Sequence, residues 1–495
     1  MSVERKCVAR TLVRVLAVGM VLAPLGTLGC AVKSPPPPET PATATVPDEW
    51  VVESRAQQAA TTAATNWVAS FGDPQLDLVV AEAIANNLNL RVAAASLEIA
   101  EQIARKAGAP LYPWVSLSAN AAGLGGFEAG TATNQSGISL DVFWEVDLWG
   151  RIRAGRAAAG ADYRAATADY EFAALSLAGQ AAKAWFQTVE FKQQVRLSEE
   201  AVALYRRNLH LAQVRFDSGL VSELDTHLAE SQLASEEETL RQVRSAYQEG
   251  TRSLEIVLGR YPAAELQVVD ALVAVPPPVE AGIPAQVLER RPDLVAAEQR
   301  LASAFHSIQV AEAARLPSIA LTGSVGGASS DLREVLSAPN PFWTVAAGLF
   351  APIFQAGNLQ ANVEIANAEQ EAAVAQYGQA ALLAFGEVET ALAKEDYLRE
   401  ALEFQRLVVS ESSVAVRQVA IQYDVGLIDF LSVIQIQSGY VNAQRWLLSL
   451  ENTRLANRIN LHLALGGDYD AAAAGRAVTD TDSDKGAGVD RPDER

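Results

Sequence analysis

Residues 137–154 read GISLDVFWEVDLWGRIRA, and the fold turns on this stretch. Apolar Ile138, Leu140, Val142, Trp144, Val146 and Leu148 alternate with Ser139, Asp141, Phe143, Glu145 and Asp147. A period of two places each set on its own face of a β-strand. A partner run begins near Trp114. The design returns as Ile319, Leu321 and Val325, then as Trp343, Val345, Ala347, Leu349, Ala351 and Ile353, so four strands are expected per chain. Trp114, Trp144, Trp149, Phe342 and Trp343 stand near strand ends. The pattern fits a membrane β-barrel or a soluble sandwich sheet.

Around these strands the chain repeats itself. GRIRA (Gly150 to Ala154) lies over GNLQA (Gly357 to Ala361) at a shift of about 207. The same shift sets Phe216-Asp217-x-Gly219-Leu220 over Tyr423-Asp424-x-Gly426-Leu427, and Leu258-Gly259 over Leu465-Gly466. Upstream, a shift of about 204 pairs Leu97 with Leu301 and Pro113 with Pro317. A register held this long argues for duplication. Each half reads as a helix, a β-hairpin and two long helices. Leu175, Ala178, Ala182, Trp185 and Val189 form one helical seam; Val374, Tyr377, Ala381, Ala384, Val388 and Ala391 form its counterpart. Ala154 to Val214 contains no proline and would extend about 90 Å as one helix. An ordinary coiled-coil stalk is the competing reading of such helices.

Four strands make an open sheet. In lipid its two edges would leave on the order of twenty backbone groups unpaired, at several kcal/mol each. Several copies are therefore needed for closure. Eight strands enclose an interior filled by side chains, so a homotrimer is the smallest conducting assembly.

The N-terminus directs the chain out of the cytoplasm. Arg5, Lys6, Arg10 and Arg14 precede an apolar run from Val15 to Gly29, the pattern of an export signal (1–29). This run is too short to span a membrane as a helix, and no longer one follows. Of the two cysteines, Cys7 lies in the signal and Cys30 ends it, so the body has no disulfide. Thr27-Leu28-Gly29-Cys30 resembles a bacterial lipobox with Leu one place late, which makes Cys30 the expected acylation site. The Pro- and Thr-rich stretch from Ser34 to Pro47 reads as an extended tether within an N-terminal segment 30–65. The acidic segment 471–495 reads as a disordered tail.

Composition narrows function. The chain has 495 residues, 39 basic against 59 acidic side chains and a formal charge of −20, which disfavours a nucleic-acid partner. Its four histidines, His210, His227, His306 and His462, lack metal-ligand spacing. No phosphate-cradling loop, dinucleotide fingerprint or nucleophile elbow is present, and the Gly-rich stretches Gly123 to Gly130 and Gly323 to Gly327 suit strands and hairpins. The chain is not expected to be an enzyme or to carry a cofactor.

Particular strings give a closer reading. FGDPQLDLVVAEAIANNLNL (Phe71 to Leu90), VPPPVEAGIPAQVLERRPDLVAAEQRL (Val275 to Leu301), FDSGLVSELD (Phe216 to Asp225) and LGR (Leu258 to Arg260) resemble the TolC-type outer-membrane factors of tripartite efflux systems, in their NodT-type lipoprotein branch. The resemblance covers nearly the whole mature chain. It implies a mainly α fold with a membrane β-barrel portion, in which two outer-membrane efflux repeats (66–270 and 271–470) each supply long helical hairpins and a β-hairpin. Three chains would share one twelve-stranded β-barrel and a periplasmic α-barrel. It further implies passive conduction of small molecules across the outer membrane, a periplasmic adaptor, an inner-membrane pump of the resistance-nodulation-division type, and diacylglycerol and an N-acyl chain on Cys30. Type I protein secretion and a non-conducting periplasmic stalk are the alternatives.

The candidate sites lie at two hairpin tips. Gly219 and Gly426 follow long helices and suit caps with positive φ, and Ser222-x-x-Asp225 reads as a capping box. With Leu220 and Leu427 these turns are the expected adaptor-docking surface. Asp217, Tyr423, Asp424 and Gln435 are the candidates for a periplasmic gate; Gln435 stands where the family commonly has Asp. Asp217 and Asp424 would place six carboxylates near one aperture in a trimer, unless each only bonds its own turn.

Overall fold

The structure is a computed structural model that describes Trp50, Val51 and residues 66–124, 133–279, 281–329 and 341–467. The signal 1–29, Cys30, the tether from Ser34 to Pro47 and the tail 471–495 lie outside the described residues.

In chain order the elements are α1 (Pro74–Asn86), α2 (Leu88–Gly108), β1 (Trp114–Leu124), β2 (Thr133–Val146), α3 (Arg151–Asp217), α4 (Glu223–Val257), α5 (Pro284–Arg290), α6 (Pro292–Ala313), β3 (Ser318–Ser329), β4 (Pro341–Phe350), α7 (Asn358–Asp424) and α8 (Phe430–Ala464). The duplication is visible in lengths: α3 and α7 each have 67 residues, and α4 and α8 each have 35. No helix among the described residues is long and apolar enough to cross a membrane.

The described residues form two compact units. The first combines Ser96–Thr167 with Ala296–Gln379. Its centre is a four-stranded antiparallel sheet in the order β1-β2-β3-β4. The register stacks like upon like: Val115 pairs with Val142 and Leu117 with Leu140, Leu140 then pairs with Val325, Trp144 with Leu321, and Val325 with Trp343. That face is apolar from Val146 to Ile138 in β2 and turns polar where Ser136 pairs with Ser329. On the other face Ser118 pairs with Ser139, Asp141 with Ser324, and Ser324 with Thr344. Leu148, Ala351 and Ile353, expected to continue the strands, lie beyond them. At the first of these ends the Asp147 carboxylate accepts from the backbone N–H of Ile152 and Arg153 at 3.0 and 2.9 Å, which caps α3 and stops β2.

The second unit combines the described residues within Ala44–Ala95, Ala168–Val295 and Ala380–Arg495. The seam of α3 is buried as its spacing requires: Leu175, Ala178, Ala182, Trp185 and Val189 join Trp67, Phe71, Leu76, Leu254 and Ile459 in one core. Asp73 caps α1 by accepting from Gln75 and Leu76 N–H at 3.0 and 3.3 Å, while its other oxygen accepts from the Trp185 indole at 2.8 Å. A second core packs Trp50 and Leu294 against Ala381, Ala384, Val388 and Ala391.

The α7 seam needs one correction. Val374, in the first unit, is 38% exposed, whereas Ala373 is buried. At about 100° per residue Ala373 lies about 40° from Tyr377, within the stripe as Ala391 is, whereas Val374 lies about 60° away on the other side, outside it.

α3 and α7 end in the same way. Gly219 (φ +70°) and Gly426 (φ +77°) are left-handed. Leu220 and Leu427 N–H reach back to the carbonyls of Arg215 and Gln422, both at 2.9 Å, and the glycine N–H groups bond Phe216 and Tyr423 at 2.8 and 3.1 Å. A Cβ on either glycine would meet nothing within 4 Å, so φ alone demands glycine. Gly219→Ala is therefore expected to cost about 1–2 kcal/mol locally. Amide exchange at residues 215–222 should quicken roughly tenfold while the α1 core is unchanged; unaltered exchange would contradict the cap.

Candidate functional site

The tip is built where the ends of α3 and α7 meet the starts of α4 and α8. Ala212, Ala229, Val419, Tyr423, Phe430, Val433 and Ile434 form a small buried cluster there. The Tyr423 ring lies 5.5 Å from that of Phe430.

Arg215 ties the two hairpins together. Its guanidinium carbon sits 4.2 Å from the centroid of the Tyr423 ring. It also donates to the Tyr423 carbonyl and to Asp424 Oδ1, each at 3.2 Å. One side chain thus makes a cation–π contact, a hydrogen bond and an ion pair. The Tyr423 hydroxyl is buried without a well-formed hydrogen bond among the described residues. Burial pushes its pKa up, and the nearby Arg215 opposes the rise.

The sequence reading missed Arg215. The duplication carried a signal, since the shift that aligns Asp217 with Asp424 sets Arg215 against Gln422 and leaves one unmatched cation at the tip. The two tip carboxylates therefore differ in their surroundings. Asp424 is compensated by Arg215, whereas Asp217 is exposed and has no ion-pair partner among the described residues. Gln435 is exposed on α8, and its backbone carbonyl accepts from Ser438.

Ser222 is an N-cap, but the capping box does not form among the described residues. Ser222 Oγ accepts from Leu224 N–H at 3.0 Å, as an N-cap should. The return bond from Asp225 to the Ser222 N–H is absent among the described residues, because Asp is one methylene shorter than the Glu or Gln that completes such a box. Asp225 instead packs near Asp429, the N-cap of α8, which accepts from Ser432 N–H at 2.8 Å. Burial, then the Asp429 charge, raises the Asp225 pKa, while the Ser432 bonds lower that of Asp429.

Further along, polar groups lock the same helices in register. Asn208 bonds Gln437 at 2.5 Å, Arg445 pairs with buried Glu236 and bonds Ser198, and Asn452 bonds Glu190 at 2.6 Å. Burial raises both glutamates' pKa values; Arg445 opposes the rise at Glu236, and Asn452 opposes it at Glu190.

In the first unit, the polar face of the sheet carries Asp141, which accepts from Ser324 at 2.7 Å, Ser139 at 3.0 Å and Ser118. An apolar face opposite a hydrated one, on a sheet with both edges open, is the surface of a barrel wall segment rather than of a closed domain. No group of three or more potential metal ligands exists among the described residues.

An open four-stranded sheet and two 67-residue helices in one chain are the elements of an outer-membrane conduit protein. The chain belongs to the outer membrane efflux protein family, whose pattern matches residues 79–260 and again 283–467. It is 30% identical to the pyoverdine export outer membrane protein OpmQ of Pseudomonas putida, over 82% of this chain and 88% of that one. It is 28% identical to the cation efflux system protein CusC of Escherichia coli, over 81% and 88%. The solved outer-membrane channel OprN superposes with a TM-score of 0.81 at 26% identity, covering 88% of this chain and 99% of that one. The protein is thus an outer-membrane channel component of an efflux system, extending into the periplasm. Its relatives are channels rather than enzymes.

Proposed function

We propose that three copies of this chain form one passive duct, with a shared twelve-stranded barrel, that receives cargo from an inner-membrane pump of the resistance-nodulation-division type through a periplasmic adaptor. The observation that carries this reading is the open sheet: every residue of edge strand β4 is exposed, while its outward pattern is that of a membrane wall. The relatives named for pyoverdine, cations and toluene are 28–30% identical to this chain, which fits a duct that leaves the choice of cargo to its pump. The repeats 66–270 and 271–470 are the two halves of each protomer.

The gate in this reading is the Arg215 tie. Holding Tyr423 and Asp424 against α3 keeps the two hairpins together, and opening separates them. Leu220 and Leu427, each 74% exposed beside Gly219 and Gly426, supply with Ser222 the apolar contacts of an adaptor. Gln435 lines the exposed flank of α8. Cys30 carries the lipid, a reading supported by the 27% identical relative from Salmonella typhimurium named as a probable outer membrane lipoprotein. The intact mass of the mature protein, with and without Cys30→Ala, checks for diacylglycerol and the N-acyl chain; an unmodified wild-type mass would refute it.

Single-channel recording in planar bilayers tests the gate. Arg215→Ala should raise the closed-state conductance several-fold, because three interactions are lost per protomer. Asp217→Asn alone should lower cation preference, since Asp217 is the uncompensated tip carboxylate; Asp424→Asn removes a charge already paired and also loosens the gate. Conductance unchanged by Arg215→Ala would place the gate elsewhere, and a reversal potential unchanged by Asp217→Asn would remove its role in selectivity.

A further inference from the structure

In a chain with a formal charge of −20, one cleft of the first unit is lined by no carboxylate among the described residues. It has a volume of about 480 Å³ and is bounded by Leu111, Ala157, Gly160, three arginines and His306. Arg153, Arg156, Gly160 and Arg164 follow one another at helical spacing, so a single stripe of α3 presents all three cations. Arg153 is compensated by Asp147 at 3.1 Å. Arg164 donates to a neutral partner, the Gln299 amide oxygen, at 2.6 Å, and its guanidinium lies against Gly160. Arg156 has no carboxylate partner among the described residues. His306 on α6 is 6% exposed and its Nδ1 is buried without a hydrogen-bond partner. Burial, aided by the Arg164 charge and opposed by a hydrogen bond to Gln309, holds its pKa below the ordinary value.

Two guanidinium groups with no carboxylate partner among the described residues define a site for an anion, and the planar fork of arginine suits phosphate oxygens. The position of the cleft selects the source. Its Leu111 wall supplies the carbonyl that accepts from the Trp144 indole at 3.1 Å, and Trp144 stands on the apolar face of the sheet where β2 nears its end. A second indole, that of Trp149, bonds the Pro317 carbonyl at 2.7 Å beside the start of β3. Indoles anchored at the border of an apolar wall mark the membrane–water interface. Arg153 and Arg156 fall within about 10 Å of the start of α3, the depth of a headgroup layer, and their stems can carry the charge towards it.

We propose that this cleft holds the phosphate of an anionic phospholipid headgroup in the periplasmic leaflet of the outer membrane, a site that rests on reading the sheet as a membrane barrel. Arg156 grips the phosphate in the headgroup layer, Arg164 reaches towards it from about 20 Å along α3 on its long stem, and buried His306 forms the inner wall. Bound lipid would then fasten α3 to α6 directly beneath the barrel.

Native mass spectrometry of the detergent-purified assembly tests this, with phosphatidylglycerol, phosphatidylcholine or inorganic phosphate added at equal concentration. The wild type is expected to retain phosphatidylglycerol at least about fivefold more than phosphatidylcholine. Arg156→Gln with Arg164→Gln should abolish that preference, whereas Arg207→Gln with Arg417→Gln, which removes the same charge from exposed positions, should not. Arg156→Lys with Arg164→Lys should keep part of it. Should the glutamine pair fail to assemble, the wild-type lipid preference and the lysine pair decide the matter. Equal retention of the two lipids, undiminished preference in the glutamine pair, or displacement of lipid by millimolar inorganic phosphate would overturn the proposal. The protein mass in the same spectra reports the number of chains, so a failed trimer is distinguished from a trimer that binds no lipid.

Discussion

Unpaired backbone in hydrocarbon is the constraint from which the rest follows. β1 and β4 each turn one row of N–H and C=O groups away from the sheet, and in lipid each unsatisfied group costs several kcal/mol. Charges, bulges and prolines protect edge strands in soluble proteins, but β4 carries none of these between Phe342 and Phe350. Its side chains are apolar or small instead, with Trp343, Val345 and Leu349 about 70% exposed. Only pairing with another edge satisfies such a strand, and β1 of a neighbouring copy is the edge on offer.

The helices solve a different problem. α3 and α7 are too long for propensity or a single core to hold, and their alanine-rich seams allow close approach without much apolar area per residue. Polar ties such as Asn208 to Gln437 and Arg445 to Glu236 supply register, because a helix that slipped would leave buried charge unpaired. At the tip the apolar cluster around Tyr423 and Phe430 is small, so the Arg215 interactions form a large share of what joins the hairpins there. A weakly buttressed contact of this kind suits an element that opens and closes.

Periodicity made the strands, the seams and the duplication legible. Ile138 to Val146 alternate because the two faces meet different solvents, and Leu175 to Val189 recur at helical spacing because one side is buried. Ends were less legible: nothing in the alternation tells that Asp147 turns back to cap α3 and so excludes Leu148. The tip glycines were legible because only their φ demanded them, whereas Arg215 was not, since its partners lie about 208 residues away and a lone arginine at a helix end looks like a response to the helix dipole. Asp225 misled for a related reason, as the local motif suggested a box while Ser222 Oγ accepts from Leu224 N–H instead. The arginine cleft was invisible in sequence because His306 and Leu111 reach it from separate segments.

The central claim is that β1 of one protomer pairs with β4 of the next. Disulfide scanning in outer membranes tests it most directly, with a cysteine at Val115 or Leu117 in β1 combined with one at Val345, Ala347 or Leu349 in β4. The account predicts that at least one pair yields covalent dimers and trimers under mild oxidation, and that single-cysteine variants yield none. Oxidation that gives only monomers across the whole set, in protein shown to be inserted in the membrane, would contradict it.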